Sequence, residues 1–218
     1  MKKTWYEIYM EEIKAKGTIN NYVTDKIKTK KVLIDLIKKY SPNKKIIEAG
    51  SGTGILSTYM ASLGYEVTAI DIDKEILELS KKISAGYGSE NRPIFKIDSI
   101  LKLNYKENQF DVSFSNGVLE HFSDADIINT LKKQMKISRV VIFGIPTKYF
   151  NDSEAMYGDE RFLKLNFWRE IISKSDGKIL EEKSCHFLRK YKIPFDFRIY
   201  HRPFPYRIFV IEENKNQN

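Results

Sequence analysis

Short apolar runs alternate with amphipathic stretches along the middle of the chain. The apolar runs predict β-strands, and the stretches between them repeat their apolar positions at the spacing of an α-helix. We predict strands over 45–49, 65–70, 94–97, 110–115 and 139–145, and helices over 54–63, 74–85 and 124–136. Strands joined by helices of this length predict a parallel, doubly wound α/β sheet with a ligand at the carboxyl ends of the strands.

The same reasoning extends to both ends of the chain. We predict helices over 4–16 and 22–40 before the first strand, and a helix over 162–174 and strands over 178–184 and 207–212 after the last. Gly17 separates the first two helices, and Pro42 prevents the second from continuing. Between the final strands, residues 186–206 interleave aromatic and basic side chains. Such a segment can stack bases and hold phosphates, but its shortness favours a loop whose aromatic side chains are buried.

The first predicted strand runs into a glycine-rich turn, Glu48-Ala49-Gly50-Ser51-Gly52-Thr53-Gly54. Glycines at such a strand-to-helix turn let backbone N–H groups approach a ligand closely. A dinucleotide fingerprint needs its third glycine one position later, where this chain has Ile55, and a P-loop needs a closing Gly-Lys-Ser/Thr that is absent. The turn therefore disfavours a cofactor that is held mainly through its phosphates.

Polar residues follow the next three predicted strands. Asp71 ends the second strand, Asp98-Ser99 ends the third, and Asn116-Gly117-Val118 follows the fourth. An acidic residue about 20 positions after a glycine loop can accept both hydroxyls of a ribose, because a carboxylate only accepts hydrogen bonds.

Residues 45 to about 150 resemble the class I S-adenosylmethionine-dependent methyltransferases, through the glycine loop, Asp71, Asp98-Ser99 and the run from Phe110 to Phe122. The resemblance implies S-adenosyl-L-methionine as cofactor. It also implies seven strands in the order 3-2-1-4-5-7-6, mostly parallel with the last antiparallel, and helices on both faces. We expect one domain over 1–218, with a helical lid over 1–40, a cofactor-binding core over 41–150 and substrate-side elements over 151–218.

The resemblance also implies roles for individual residues. Glu48 can meet the methionyl ammonium, and the carboxylate can lie at the positive end of the helix after Gly54. The residues implied in cofactor binding are Glu48, Ala49, Gly50, Ser51, Gly52, Thr53, Gly54, Asp71, Ile72, Asp98, Ser99, Asn116, Gly117 and Val118.

His121 is the candidate catalytic base, because a histidine after the fourth strand can take a proton near neutral pH. A histidine in this Leu-Glu-His context can equally serve only in packing. Candidate substrate contacts are Tyr9, Glu120, Tyr157, Arg161 and Trp168. For Arg161 a surface ion pair, and for Trp168 a place in the core, are the alternatives.

Composition restricts the other classes of function. One cysteine, and three histidines without ligand spacing, predict no metal site. No apolar run is long enough to span a bilayer and the first residues are charged, so we expect a cytoplasmic protein with no membrane partner. The net charge of +8 is compatible with nucleic acid, but scattered lysines are ordinary solvated cations.

The sequence thus predicts a methyltransferase with a small-molecule acceptor. Ser115-Asn116-Gly117-Val118 stands where nucleic-acid amino-methylating members carry a Pro-Pro pair, which disfavours adenine or cytosine as acceptor. The alternatives are an RNA or protein methyltransferase that uses the basic surface, and a protein that holds the cofactor without transferring methyl.

Overall fold

The computed structural model describes residues 3–148, 159–185 and 206–215. Its strands form one sheet in the order β3-β2-β1-β4-β5-β7-β6. They are β1 Lys45–Ala49, β2 Glu66–Asp71, β3 Ile94–Ile97, β4 Phe110–Asn116, β5 Ser138–Pro146, β6 Gly177–Cys185 and β7 Tyr206–Glu213. Strands β1 to β5 are parallel, and β7 is antiparallel to both β5 and β6. The predicted fold class and strand order are confirmed.

Helices cover both faces of the sheet. They are α1 Trp5–Lys16, α2 Ile19–Thr29, α3 Lys31–Tyr40, α4 Ile55–Ser62, α5 Lys74–Gly86, α6 Asp124–Ile137 and α7 Leu165–Lys174. Successive residues of a strand point to opposite faces. Accordingly, Ile47 packs in the core beneath α6 and α7, and Ile46 packs in the core beneath α3 and α4. None of the described helices is long and apolar enough to cross a membrane.

The predicted single helix over 22–40 is wrong, because the chain forms α2 and α3 with a break at Lys30 (φ −102°, ψ 10°). The two halves bury different surfaces. Tyr22 and Val23 on α2 pack with Ile55 and residues of α1 and α5, whereas α3 packs on the sheet. A straight helix could not cover both surfaces.

Two further differences lie near the carboxyl edge of the sheet. Short 3-10 turns at Ile100–Lys102 and Leu119–His121 were not predicted. The helix expected from residue 162 begins at Leu165, because Arg161 N–H donates to the Glu120 carbonyl and Lys148 N–H donates to the Leu163 carbonyl. These hydrogen bonds hold residues 161–163 alongside the strand ends.

Asp111, at the start of β4, anchors the entry into β1. Its buried carboxylate accepts hydrogen bonds from Asn43 N–H (2.9 Å), Asn43 Nδ2 (2.8 Å) and Lys45 N–H (3.2 Å). It thereby fixes where β1 begins relative to β4.

Asp111→Ala should lower the free energy of unfolding by about 1–3 kcal/mol, because it leaves buried donors without an acceptor. Urea denaturation measures the change. Asp35→Ala, which removes an exposed aspartate on α3, is the control and should change stability by less than about 0.5 kcal/mol. Equal effects of the two substitutions would contradict the anchoring role.

Candidate functional site

The glycine loop after β1 is tied to the end of β2. Gly50 and Ser51 N–H both donate to the Ile70 carbonyl at 2.9 Å, and Gly52 N–H donates to Asp71 Oδ2 at 2.9 Å. Gly50 and Gly52 have φ of 75° and 51°, in the left-handed region that favours glycine. The loop then passes through Gly54 into α4.

Neighbouring elements approach this loop more closely than a side chain would allow. A Cβ on Gly50 would lie 2.7 Å from Val118 Cγ2, and a Cβ on Gly52 would lie 2.8 Å from the Tyr9 hydroxyl. Both the turn conformation and these contacts therefore require glycine. The same contacts show that Val118 and Tyr9 border the loop on two sides.

Glu48 lies buried beneath the loop, with 4% of its surface exposed. Its Oε2 accepts hydrogen bonds from the Ser57 backbone N–H (3.1 Å) and hydroxyl (2.5 Å) of α4. Burial raises the pKa of Glu48 to about 8, and the nearby Asp71 carboxylate acts in the same direction. The carboxyl group is therefore readily protonated near neutral pH, unless a cation joins it.

Asp71 and Asp98 lie at the ends of the adjacent strands β2 and β3, where the Asp98 N–H donates to the Asp71 carbonyl. Burial raises the pKa of Asp71. Its Oδ1 accepts from Asp73 N–H at 3.1 Å, and the Ile72 N–H also favours the charged form. The carboxylate has about four acceptor positions, so it can still accept a ligand donor. Asp98 accepts from Ser99 N–H (2.7 Å) and the Tyr105 hydroxyl (3.3 Å). Beside them, the Ile72 side chain is 72% exposed.

Helix α1 covers the loop from above. The Tyr9 hydroxyl lies over Gly52, and burial with the nearby charges of Asp71 and Glu48 raises the pKa of that hydroxyl. Trp5 stacks on Tyr9 (ring centroids 5.6 Å apart) and meets the edge of His121 (5.9 Å). The structure thus brings Tyr9, predicted to contact the substrate, against the glycine loop.

Glu12 fastens α1 to α2. Its carboxylate accepts a hydrogen bond from the Tyr22 hydroxyl at 2.9 Å and pairs with Lys26 at 2.8 Å. Aromatic packing therefore holds α1 against the site, and the ion pair holds α1 to α2. Helix α1 thus lies over the glycine loop and is joined to α2; its action as a lid stays a prediction.

The end of β4 forms the opposite side of the site. The Tyr206 hydroxyl donates to Asn116 Oδ1 at 2.9 Å. Glu120, in the 3-10 turn that follows, is 3% exposed. Burial raises its pKa to about 8, with a further rise from Glu160 and Asp159 and a lowering by Lys30.

His121 and Arg161 border this side of the site. His121 Nδ1 lies 2.7 Å from Asp159 Oδ1, which orients the ring beside Trp5. Arg161 donates to the Phe122 carbonyl and to Asp124 Oδ1, each at 2.5 Å. Its guanidinium therefore fastens the chain after Glu120, and its ion pair is with Asp124.

Trp168 is misassigned as a substrate contact. The side chain is fully buried and packs against Phe143 and Phe167 in the core beneath α7, so it cannot line an open site. Tyr157, the remaining candidate, lies outside the described residues.

Sequence reasoning missed Ser57, Lys30 and Tyr206. Ser57 could have been found, because it lies one helical turn after the glycine loop and faces back toward β1. Lys30 and Tyr206 carry no signal in the sequence, since only the fold brings them to this edge. In the described part of the chain, no group of three or more His, Cys, Asp or Glu side chains is placed to hold a metal ion.

A family model described as a methyltransferase domain matches residues 46–140. The chain is 28% identical over 147 residues to the ubiquinone biosynthesis O-methyltransferase of Hydrogenovibrio crunogenus, covering 61% of this chain and 56% of that protein. It is 27% identical over 154 residues to the ribosomal protein L11 methyltransferase of Campylobacter lari, covering 66% and 52%. The chain thus spans about half the length of these curated relatives.

Among solved structures, magnesium protoporphyrin IX methyltransferase from Synechocystis PCC 6803 with bound SAM has the same fold. Its TM-score is 0.64 at 17% identity, with 87% of this chain and 80% of that chain covered.

Glu48→Gln should flatten the dependence of stability on pH. The raised pKa means that the folded protein holds the Glu48 proton more tightly than the unfolded chain does. The resulting stability is complete below the ordinary pKa of 4.5 and is lost as pH rises toward about 8. Urea denaturation between about pH 5 and pH 8 should show wild-type stability falling by up to a few kcal/mol more than that of the variant.

Glu66→Gln, at an exposed glutamate at the start of β2, is the control for this measurement. It should leave the slope of stability against pH unchanged. Parallel curves for wild type and Glu48→Gln would contradict the effect of burial on the Glu48 carboxyl.

Proposed function

We propose that the chain is a class I S-adenosylmethionine-dependent methyltransferase that transfers a methyl group from S-adenosyl-L-methionine to a small-molecule acceptor. The match of residues 46–140 to a methyltransferase-domain model supports this proposal. The observation that carries the proposal is the glycine loop held between two carboxylates, Glu48 beneath it and Asp71 beside it. The relative that methylates in ubiquinone biosynthesis supports a small acceptor.

The residues present fit this cofactor. Glu48 is a buried carboxyl whose charged form burial disfavours, so a cation beside it would be stabilising, and it would receive the methionyl ammonium. The loop and the start of α4 would receive the methionyl carboxylate. The small side chains of Ala49, Ser51 and Thr53 would let the backbone approach it closely. Asp71 would accept the two ribose hydroxyls.

The adenine would lie at the ends of β2 and β3. The exposed Ile72 side chain offers it an apolar face, and Asp98 and Ser99 offer hydrogen-bonding groups to its amino edge. Asn116, Gly117 and Val118, at the end of β4, would border the methyl group. Val118 supports this assignment because it already contacts the loop at Gly50.

The bound cofactor supplies a methyl group made electrophilic by a sulfonium. The protein's contribution is mainly to position the acceptor in line with that group. Helix α1, with Tyr9 and Trp5, excludes water from the loop and must move to admit ligands, as lids do. The His121 ring, oriented by Asp159, is a candidate proton acceptor for a hydroxyl group.

A protein acceptor is the second candidate. The similarity to ribosomal protein L11 methyltransferase extends over 66% of this chain, and the net charge of +8 suits an anionic partner such as a ribosomal particle. The experiment below separates this candidate from the first.

Incubation of the protein with methyl-labelled cofactor and a cell extract, divided by ultrafiltration, tests the proposal. We expect the label on a compound in the small-molecule fraction, read by mass spectrometry, with formation of S-adenosylhomocysteine. Label on protein or RNA would favour the second candidate. Cofactor binding without label on any fraction would indicate a binding protein without transferase activity.

Asp71→Asn should weaken cofactor binding roughly 10- to 100-fold, because the ribose hydroxyls lose a charged acceptor worth about 1.5–3 kcal/mol. Isothermal titration calorimetry with S-adenosyl-L-methionine measures the change. Asp73→Asn is the matched control, since it removes the same charge two residues away while asparagine still caps α5. Equal affinities of the two variants would refute the role of Asp71.

A further inference from the structure

We infer that Glu120 binds an amino group of the methyl acceptor, so that the acceptor is an amine. The inference rests on the proposed function and names the class of substrate for the same site. It starts from a buried carboxyl group beside that site, one oxygen of which has no hydrogen-bond partner in the described part of the chain.

Glu120 lies where the acceptor would approach. It follows Gly117, and a Cβ added to Gly117 would lie 3.6 Å from Glu120 Oε1 and 3.8 Å from the Tyr206 hydroxyl. The Tyr206 hydroxyl is itself bound to Asn116 at the end of β4. The Glu120 carboxyl group therefore lies next to Gly117, one of the residues proposed to border the methyl group.

The Glu120 carboxyl differs from the other buried acids of the chain. Asp111 has three donors and Glu48 has two. The Glu120 carboxyl accepts a hydrogen bond from its own backbone N–H, but its Oε2 is enclosed and has no hydrogen-bond partner within the described ranges. Because an unsatisfied buried carboxyl is costly, such a group marks a position that a ligand donor would fill.

The charges around Glu120 favour a cationic donor. Asp159 and Glu160 face it from the segment that follows residue 158, Lys30 faces it from the junction of α2 and α3, and His121 is its chain neighbour. The Lys30 ammonium lies 5.3 Å from the centre of the Tyr206 ring. Asp159 and Glu160 thus add negative potential at the Glu120 carboxyl, which favours the approach of an ammonium group.

The same group can prepare an amine for methylation. A protonated amine has no lone pair to react. When its N–H bond breaks, the electron pair stays on nitrogen and the proton forms an O–H bond with Glu120 Oε2. The pKa of Glu120 is raised to about 8, between the values of ordinary carboxyl groups and amines. The smaller pKa difference lowers the free energy that the proton transfer requires.

Glu48 offers a parallel within the same molecule. Both glutamates are buried at the carboxyl edge of the sheet, and burial raises both pKa values to about 8. In the proposed function Glu48 meets the ammonium of the cofactor. Glu120 stands in the same relation to an ammonium of the acceptor.

The first test uses an amine probe and needs no turnover. Protein loaded with S-adenosylhomocysteine and labelled with carbon-13 at glutamate carboxyl groups is titrated with butylamine, and separately with butanol. The Glu120 signal, identified by its loss in Glu120→Gln, should shift with butylamine and not with butanol. Absence of a shift with butylamine, or equal shifts with both probes, would overturn the inference.

The second test uses the labelled cofactor and the small-molecule fraction of a cell extract. Capping the amines of that fraction with an acetylating reagent should abolish labelling. Glu120→Gln should lower kcat/KM for the uncapped fraction about 10- to 100-fold while cofactor affinity stays unchanged. Glu170→Gln, which removes an exposed charge on α7, is the control and should change kcat/KM less than about threefold.

The outcomes separate the inference from the proposed function. Labelling that survives amine capping overturns the amine assignment and leaves methyl transfer standing. Cofactor binding with no labelling in any fraction overturns the transferase function, and the butylamine titration then decides the role of Glu120 alone. Glu120→Gln also controls for folding, because a neutral amide of the same shape replaces a group that burial already favours in its neutral form.

Discussion

The hydrogen bonds between the glycine loop and the end of β2 determine the geometry of the site. Gly50, Ser51 and Gly52 each direct a backbone N–H toward β2, so the loop cannot move independently of the strand that carries Asp71. Parallel strands place their carboxyl ends on one edge, and these hydrogen bonds fix the loop against that edge. Glycine is required because the left-handed backbone and the close approach of Val118 and Tyr9 both exclude a Cβ.

A second constraint is the burial of acidic side chains along this edge. Glu48 and Glu120 are enclosed almost completely, and a buried carboxylate without a cation is unfavourable. The folded protein tolerates them because their pKa values rise, which makes the neutral form available. Burial of these two carboxyl groups therefore lowers the stability of the folded protein as pH rises.

The core of the fold could be predicted from the sequence because its signals are local. Residues 45–49 and 94–97 alternate with helical stretches, and the predicted limits of these two strands agree with the structure. Contacts between distant segments could not be predicted. The break at Lys30 could not be predicted, because no proline or glycine stands there. It follows from the different surfaces that α2 and α3 bury in the folded protein.

The site shows the same division. Its glycines and strand-end acids have a fixed spacing, so Asp71 and Asp98 could be assigned to neighbouring strand ends. The hydrogen bond between Tyr206 and Asn116 joins residues far apart in the sequence, and only the antiparallel pairing of β7 with β5 creates it. Trp168 lies at helical spacing with Ile171 and Ile172, which predicts that all three face inward. The spacing does not tell whether the inward face meets the core or an open site.

The position of the two tryptophans has a spectroscopic consequence. The chain contains only Trp5 and Trp168. Trp5 is partly exposed and stacks on Tyr9 above the glycine loop, whereas Trp168 is enclosed in the core beneath α7. Their intrinsic fluorescence can therefore separate two events: a displacement of α1 from the loop would change the emission of Trp5, and loss of the packed core would change that of Trp168.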